Sequence, residues 1–285
     1  MESEALGLAT EAALEAERQF VLTLGGFALE MAGATLVTHE KLPVPRFNFV
    51  QELGVGRERQ TAFFERALDH YFQRALRPTF RVPVPVPDHL DAGLRRFGFR
   101  PRAAPLVLLL STGERPPPGG TAVEVRRARP AEVELVAAFW ASPRERPEFR
   151  TALEVAWVHP NPHERLVPLF ALLDGHVVAS AIVYRYRSSA GVHAVATTPS
   201  ARGQGAASDL VRFALREDPA GPGVRYAIWA DSARLVARLE KLGFRPARTF
   251  QEYELPASAE LAFPAPGPLG PPRWRPGRPA PGRWI

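Results

Sequence analysis

The 285-residue chain reads as an α/β (α+β) protein made of two mixed units, and three observations predict this. Apolar runs of strand length alternate with helical apolar stripes along most of the chain. Arg95-Arg96-Phe97-Gly98-Phe99-Arg100-Pro101 matches Glu240-Lys241-Leu242-Gly243-Phe244-Arg245-Pro246 at an offset of 145 residues, and Leu90, Ala92, Leu94 and Arg57 meet Leu235, Ala237, Leu239 and Arg202 at the same offset. Between the copies, Ser111 to Gly120 contains no apolar residue other than proline and glycine, which is the composition of a linker.

In chain order, residues 4–23 carry an apolar stripe among glutamates and predict an amphipathic helix. Phe27 to Met31 and Thr35 to Thr38 flank Ala32-Gly33-Ala34 and predict a hairpin. A strand is expected within 46–53 and a helix over 58–76, where Phe63, Phe64, Ala67, Leu68, Tyr71, Phe72 and Ala75 fall at helical spacing. Phe80 to Val86 alternates with prolines, which predicts an edge strand. Asp88 to Phe97 reads as a helix capped by Asp88 and stopped by Gly98, and Leu106 to Leu110 as the last strand of the first unit.

Beyond the linker, 122–127 predicts a strand and 130–141 a helix entered through Pro130. The segment 143–165 is ambiguous and suggests a helix from about 148 to 157 before the turn His159-Pro160-Asn161-Pro162. Val167 to Leu173 and Val177 to Tyr186 join through Asp174-Gly175, a strong hairpin signal. Strands over 192–197, 224–230 and 248–255 and helices over 203–216 and 231–242 complete the second unit. The expected boundaries are therefore 1–110, a linker at 111–121, a second domain at 122–256 and a tail at 257–285.

No run approaches the ~18 apolar residues of a membrane span, and the acidic N-terminus lacks the order of a signal peptide, so a cytoplasmic protein is the expectation. The absence of cysteine excludes disulfides, thiolate metal sites and a cysteine nucleophile. Half of the net charge of +6 comes from the tail, where Arg273, Arg275, Arg278 and Arg283 face only Glu260. The folded part is thus only mildly basic, and a nucleic-acid partner is not expected from it. The tail reads as disordered or polyproline, its arginines and Trp274 and Trp284 leaving contact with nucleic acid as the weaker reading.

The stretch Thr197-Thr198-Pro199-Ser200-Ala201-Arg202-Gly203-Gln204-Gly205-Ala206-Ala207-Ser208 reads as strand, tight loop and helix start. Small residues at 203 and 205–207 let a ligand approach the backbone. The unpaired amides at the positive end of the helix then favour a phosphate or diphosphate. With the distal Leu242-Gly243-Phe244, this stretch resembles the GNAT acetyltransferase superfamily over about residues 122–255, the family motif falling on Arg202, Gly205 and Ala207.

The resemblance implies two tandem GNAT-like domains, each a mixed, mostly antiparallel sheet flanked by helices. It also implies acetyl-coenzyme A (acetyl-CoA) as co-substrate and no metal. The diphosphate would lie on Arg202, Gly203, Gln204, Gly205, Ala206, Ala207 and Ser208, and the pantetheine would pair with Val195, Ala196 and Thr197 in a cleft opened against strand 224–230. The reaction implied is direct attack by the amine of a small molecule or peptide, with the main-chain N–H near Thr197 as oxyanion donor.

The sequence departs from the family where a tyrosine often protonates the leaving thiolate: that position is Leu239, and a frequent asparagine is Ser232. Ser232 or water remains as proton source. His193 is the candidate base, since it shares strand parity with Val195 and Thr197 unless a bulge intervenes. Glu154, His159 and His163 fall where the family shapes its acceptor pocket. The prolines between the two histidines argue against a helical metal pair. In the first unit Glu58, Arg59, Gln60 and Thr61 stand opposite Gly203 to Ala206, so that copy is expected not to bind the co-substrate. A non-catalytic acetyl-CoA sensor is the alternative function. Oligomeric state is not encoded in any pattern.

Overall fold

The computed structural model describes residues 2–119, 123–140, 165–217 and 223–256. The segment 143–164, with Glu154, His159 and His163, and the tail 257–285 lie outside the described residues.

Two compact units are present, and they divide the chain differently from the sequence expectation. One combines Met1–Gly25 with Leu106–Arg248, and the other Gly26–Pro105 with Thr249–Ile285. The second of these is built on β1 (Phe27–Met31), β2 (Ala34–Thr38), β3 (Phe49–Gln51), α2 (Gln60–Phe72), β4 (Thr79–Pro83), α3 (Asp88–Arg96) and the two-residue β5 (Arg100–Pro101). Here β1, β2 and β3 are antiparallel neighbours and β3 runs parallel to β4. Phe63, Phe64, Leu68 and Tyr71 of α2 and Leu90 and Leu94 of α3 meet Leu36, Val50, Phe80 and Val82 in one core. The Tyr71 hydroxyl donates to the main-chain carbonyls of Val37 and Phe49 at 2.8 and 3.0 Å, fixing α2 over the sheet.

The other unit repeats that order with β8 (Leu166–Leu173), β9 (His176–Tyr186), β10 (Ser189–Thr197), α5 (Ala206–Glu217), β11 (Arg225–Ala230) and α6 (Ala233–Glu240), preceded by β7 (Glu124–Arg127) and α4 (Val133–Trp140). The Asp174-Gly175 turn has φ 51° and 77°, the conformation that closes a two-residue hairpin. β7 through β10 are antiparallel neighbours and β10 runs parallel to β11. The apolar stripe of α5 (Leu210, Val211, Ala214) and Leu239 and Leu242 pack on Ala179, Ala181, Val183, Val192 and Ile228.

The two units exchange their final strands. β6 (Leu106–Ser111), which follows α3, pairs antiparallel with β11, while Phe250–Tyr253 of β12 (Phe244–Glu254), which follows α6, pairs antiparallel with β4. The sequence boundary at residue 110 is therefore corrected: β6 belongs with the unit that contains β11. So does α1 (Glu2–Thr23), which packs on β9 and β10 and buries Phe20 and Val21. The linker is a strap on that same unit: the Thr112 N–H bonds Gly243 O at 2.8 Å, and Arg216 donates to Pro116 O at 3.1 Å.

Two local expectations also change. β4 is an internal strand, with β3 on one side and β12 on the other. Its prolines are accommodated because the strand closes at Pro83 and Pro85 and Pro87 fall beyond it. The α3 N-cap is Pro87, so Asp88 is inside the first turn, where its charge meets the helix dipole.

Candidate functional site

The site is built where β10 leaves β11. Their parallel ladder holds Ser189, Ala190 and Gly191 against Arg225, Tyr226 and Ala227, and goes no further among the described residues. β11 continues through Ala230 on its other side against β6, so the two parallel strands diverge beyond Gly191. Burial follows the divergence: Val192 and His193 are buried, whereas Ala194 through Thr198 are partly exposed. Val195, Ala196 and Thr197 lie on β10 beyond its last pair with β11 among the described residues.

The cause is a bulge. His193 pairs with Ile182 but Ala196 pairs with Ser180, so β10 spends one residue more than β9, and Ala194 takes φ 51°. Residues opposite one another share a face. His193 and Ala196 therefore face one side, and Thr197, opposite Ala179, faces the other. Val195 packs with the core under α5, while the His193 ring stacks on Phe20 of α1 at 4.1 Å between centroids, with an interplanar angle of 5°. The parity that made His193 a candidate base is broken, and the ring is 3 % exposed. A Cβ on Gly191 would collide with His193 Nε2, so the glycine makes the room this buried ring occupies.

Past Thr197 the chain enters a 3-10 turn, Pro199–Ala201, then Arg202, with extended backbone at φ −63° and ψ 141°, and Gly203 at φ 84°. Gly205, at φ 91°, precedes α5. Those two left-handed conformations explain why glycine stands at 203 and 205. A Cβ on Gly203 would meet nothing within 4 Å, so its approach face is open. The first N–H to bond back into α5 is that of Asp209, to Gly205 O at 3.0 Å. The amides of Gly205, Ala206, Ala207 and Ser208 precede that bond, have no acceptor four residues earlier within the helix, and form its positive end. Arg202, Gly203 and Gln204 are exposed beside them.

The remaining candidates take structural positions. Ser232 is the N-cap of α6: it has φ −152°, and its Oγ accepts from the Leu235 N–H at 3.4 Å. Leu239 is 2 % exposed and belongs to the core, as its replacement of a polar residue implies. The Ser208 hydroxyl accepts a hydrogen bond from Arg238 Nε of α6 at 2.9 Å. Sequence reasoning passed over Arg238; its signal was the spacing Arg234, Arg238, Lys241, which repeats along one helical face beside the core stripe Leu235, Leu239, Leu242. Among the described residues no cluster of three or more His, Asp or Glu is placed to hold a metal ion, and no helix is long and apolar enough to cross a membrane.

An extended strand edge, an open glycine loop and a free helix N-terminus in sequence suit a ligand with an amide-bearing arm and a diphosphate. The amides are the donors such a ligand needs. The acid in the first turn of α5, Asp209, is buried and paired with Arg212 at 2.5 Å.

Residues 131–244 match the model of the acetyltransferase (GNAT) family. Among solved structures, a GCN5-related N-acetyltransferase from Kribbella flavida is similar over 87% of this chain and 97% of its own, with 18% identity and a TM-score of 0.60. A GCN5-related N-acetyltransferase from Sphaerobacter thermophilus is similar over 78% of this chain and 77% of its own, with 15% identity and a TM-score of 0.59. A functionally unknown conserved protein from Staphylococcus epidermidis ATCC 12228 covers 81% and 94%, with 12% identity and a TM-score of 0.58. At these identities the likeness is one of fold. No curated protein sequence matches the chain.

Proposed function

From the premise that this chain carries a GNAT acetyltransferase domain over residues 131–244, we propose that it transfers the acetyl group of acetyl-CoA to the amine of a small molecule or peptide, by direct attack with both substrates bound. The observation that carries this reading is the parting of β10 from β11 after Gly191, directly ahead of the glycine loop and the N-terminus of α5. The amides of Gly205 to Ser208 receive the diphosphate, with Gly203 leaving the approach open, and the edge of Val195, Ala196 and Thr197 pairs with the pantetheine arm. Bound there, acetyl-CoA supplies an acyl group already activated as a thioester.

The protein's part is positional and electrostatic. Main-chain N–H groups of β10 near Thr197, past the bulge at Ala194, stabilise in this reading the oxyanion that forms as the amine adds to the carbonyl carbon. Holding amine and thioester together replaces a bimolecular encounter with a local one. No covalent intermediate on the protein is needed, which agrees with a chain without cysteine. The proton lost by the amine and the one gained by the thiolate pass through water in this reading, because Leu239 is buried, Ser232 caps α6 and His193 is turned under α1.

That same set of observations favours a second reading, a sensor that binds acetyl-CoA without turnover. Calorimetric titration of the full chain with acetyl-CoA, followed by a thiol-release assay over an amine library, separates the two. Binding with turnover supports the transferase, binding without turnover supports the sensor, and no binding overturns both.

A further inference from the structure

Three facts about α6 are hard to reconcile with a merely solvated surface helix. Arg234 occupies its first turn, which contains no acidic residue, so a cation sits where the helix dipole is positive. Arg238 follows four residues later on the same face, where like charges repel by roughly 0.2–0.5 kcal/mol. Neither has a carboxylate partner among the described residues, although the chain pairs many of its other arginines, such as Arg81, Arg95, Arg126 and Arg212. Each of the first two arrangements costs stability unless an anion completes it.

Arg238 is also held in place. Its Nε donates to Ser208 Oγ at 2.9 Å, and Ser208 is the third residue of α5, 7 % exposed. The bond uses Nε and leaves the Nη groups of the guanidinium as donors, on a side chain tied to the first turn of α5. A fixed guanidinium fork is the side chain suited to two oxygens of one phosphate.

We propose that Arg238 is a phosphate anchor for the co-substrate, with Ser208 its positioning residue and Arg234 a second cation in the same field. This rests on the acetyl-CoA reading of the loop and goes beyond it, because it gives α6 a part in cofactor selection and gives the Ser208 hydroxyl a role distinct from its amide. Acetyl-CoA carries two kinds of phosphate, the diphosphate and the ribose monoester, and the experiment tells them apart.

The test is calorimetry on the full chain, wild type and Arg238→Gln, with acetyl-CoA and with 3′-dephospho-acetyl-CoA. Arg238→Gln is expected to weaken acetyl-CoA by about tenfold, the size of one charge-assisted hydrogen-bonding contact. Loss confined to acetyl-CoA assigns the anchor to the ribose phosphate, and equal loss for both ligands assigns it to the diphosphate. Ser208→Ala, which keeps the charge but frees the side chain, should give a smaller loss with the same ligand preference. If Arg238→Gln lowers the melting temperature but leaves both affinities unchanged, Arg238 is only a tie between α5 and α6 and the proposal is overturned. Failure of the wild type to bind either ligand would instead overturn the acetyl-CoA reading on which it stands.

Discussion

Ala207→Glu separates the role of the α5 N-terminus in the fold from its role toward a ligand, because the two respond with opposite sign. Ala207 is the second residue of α5, and the side chain is partly exposed, so a glutamate can be accommodated without entering the core. For the helix, a carboxylate in the first turn is favourable by about 0.3–1 kcal/mol. For a diphosphate accepting hydrogen bonds from the amides of residues 205–208, the same carboxylate is a like charge about 5 Å away. At an effective dielectric of about 20 that is a repulsion of about 3 kcal/mol per unit charge, which solvent at this exposed loop reduces to about 1.5–3 kcal/mol. The expected result is a melting temperature unchanged or slightly raised, with affinity for acetyl-CoA lowered about ten- to hundredfold. Differential scanning calorimetry and titration calorimetry on the same sample give both numbers. Affinity within twofold of wild type, with the fold intact, would refute the placement of phosphate at this helix.

His193→Gln should lower stability by about 1–2 kcal/mol through loss of the stack on Phe20, while any acetyl transfer keeps the shape of its pH profile; disappearance of a basic limb would restore His193 as the base. Ser232→Ala should remove the α6 cap at a cost of about 1 kcal/mol, with turnover per folded molecule preserved; a fall in kcat without a fall in melting temperature contradicts the capping role. Burial, with Arg74 nearby, holds the His70 imidazole down at about 4 from an ordinary 6.5. The unfolded chain therefore takes up this proton first, and the stabilisation is present above pH 6.5 and lost as pH falls toward 4. His70→Gln should flatten that part of the acid unfolding curve, and an unchanged slope counts against it. Finally, residues 1–112 and 122–256 made separately should each fail to fold cooperatively, since each lacks a strand its sheet needs; a sharp thermal transition in either fragment would contradict the exchange of β6 and β12.

Local features were legible because they are written in short windows. The Asp174-Gly175 hairpin, the α5 stripe, the core position of Leu239 and the need for glycine at 203 and 205 each depend on a few neighbouring side chains. The candidate loop belongs to this class, and so does the repeat, since both copies share one order of elements. His193 was misread for a related reason. Its side is set by parity only while the ladder is regular, and the extra residue is an alanine at φ 51°, a conformation its side chain does not advertise.

By itself, then, the sequence determined two α/β copies, one with an open glycine loop and one with Glu58, Arg59, Gln60 and Thr61 in its place, and the chemistry that loop favours. The tertiary structure decided which copy receives each final strand, that α1 packs on β9 and β10, which way His193 turns, and that Arg238 reaches Ser208. The reason is physical. β6 and β12 bond through main-chain groups that every residue carries, and two units of one topology offer equivalent strand edges, so side-chain patterns rank these pairings weakly. Only the packing of the whole chain makes the choice between them.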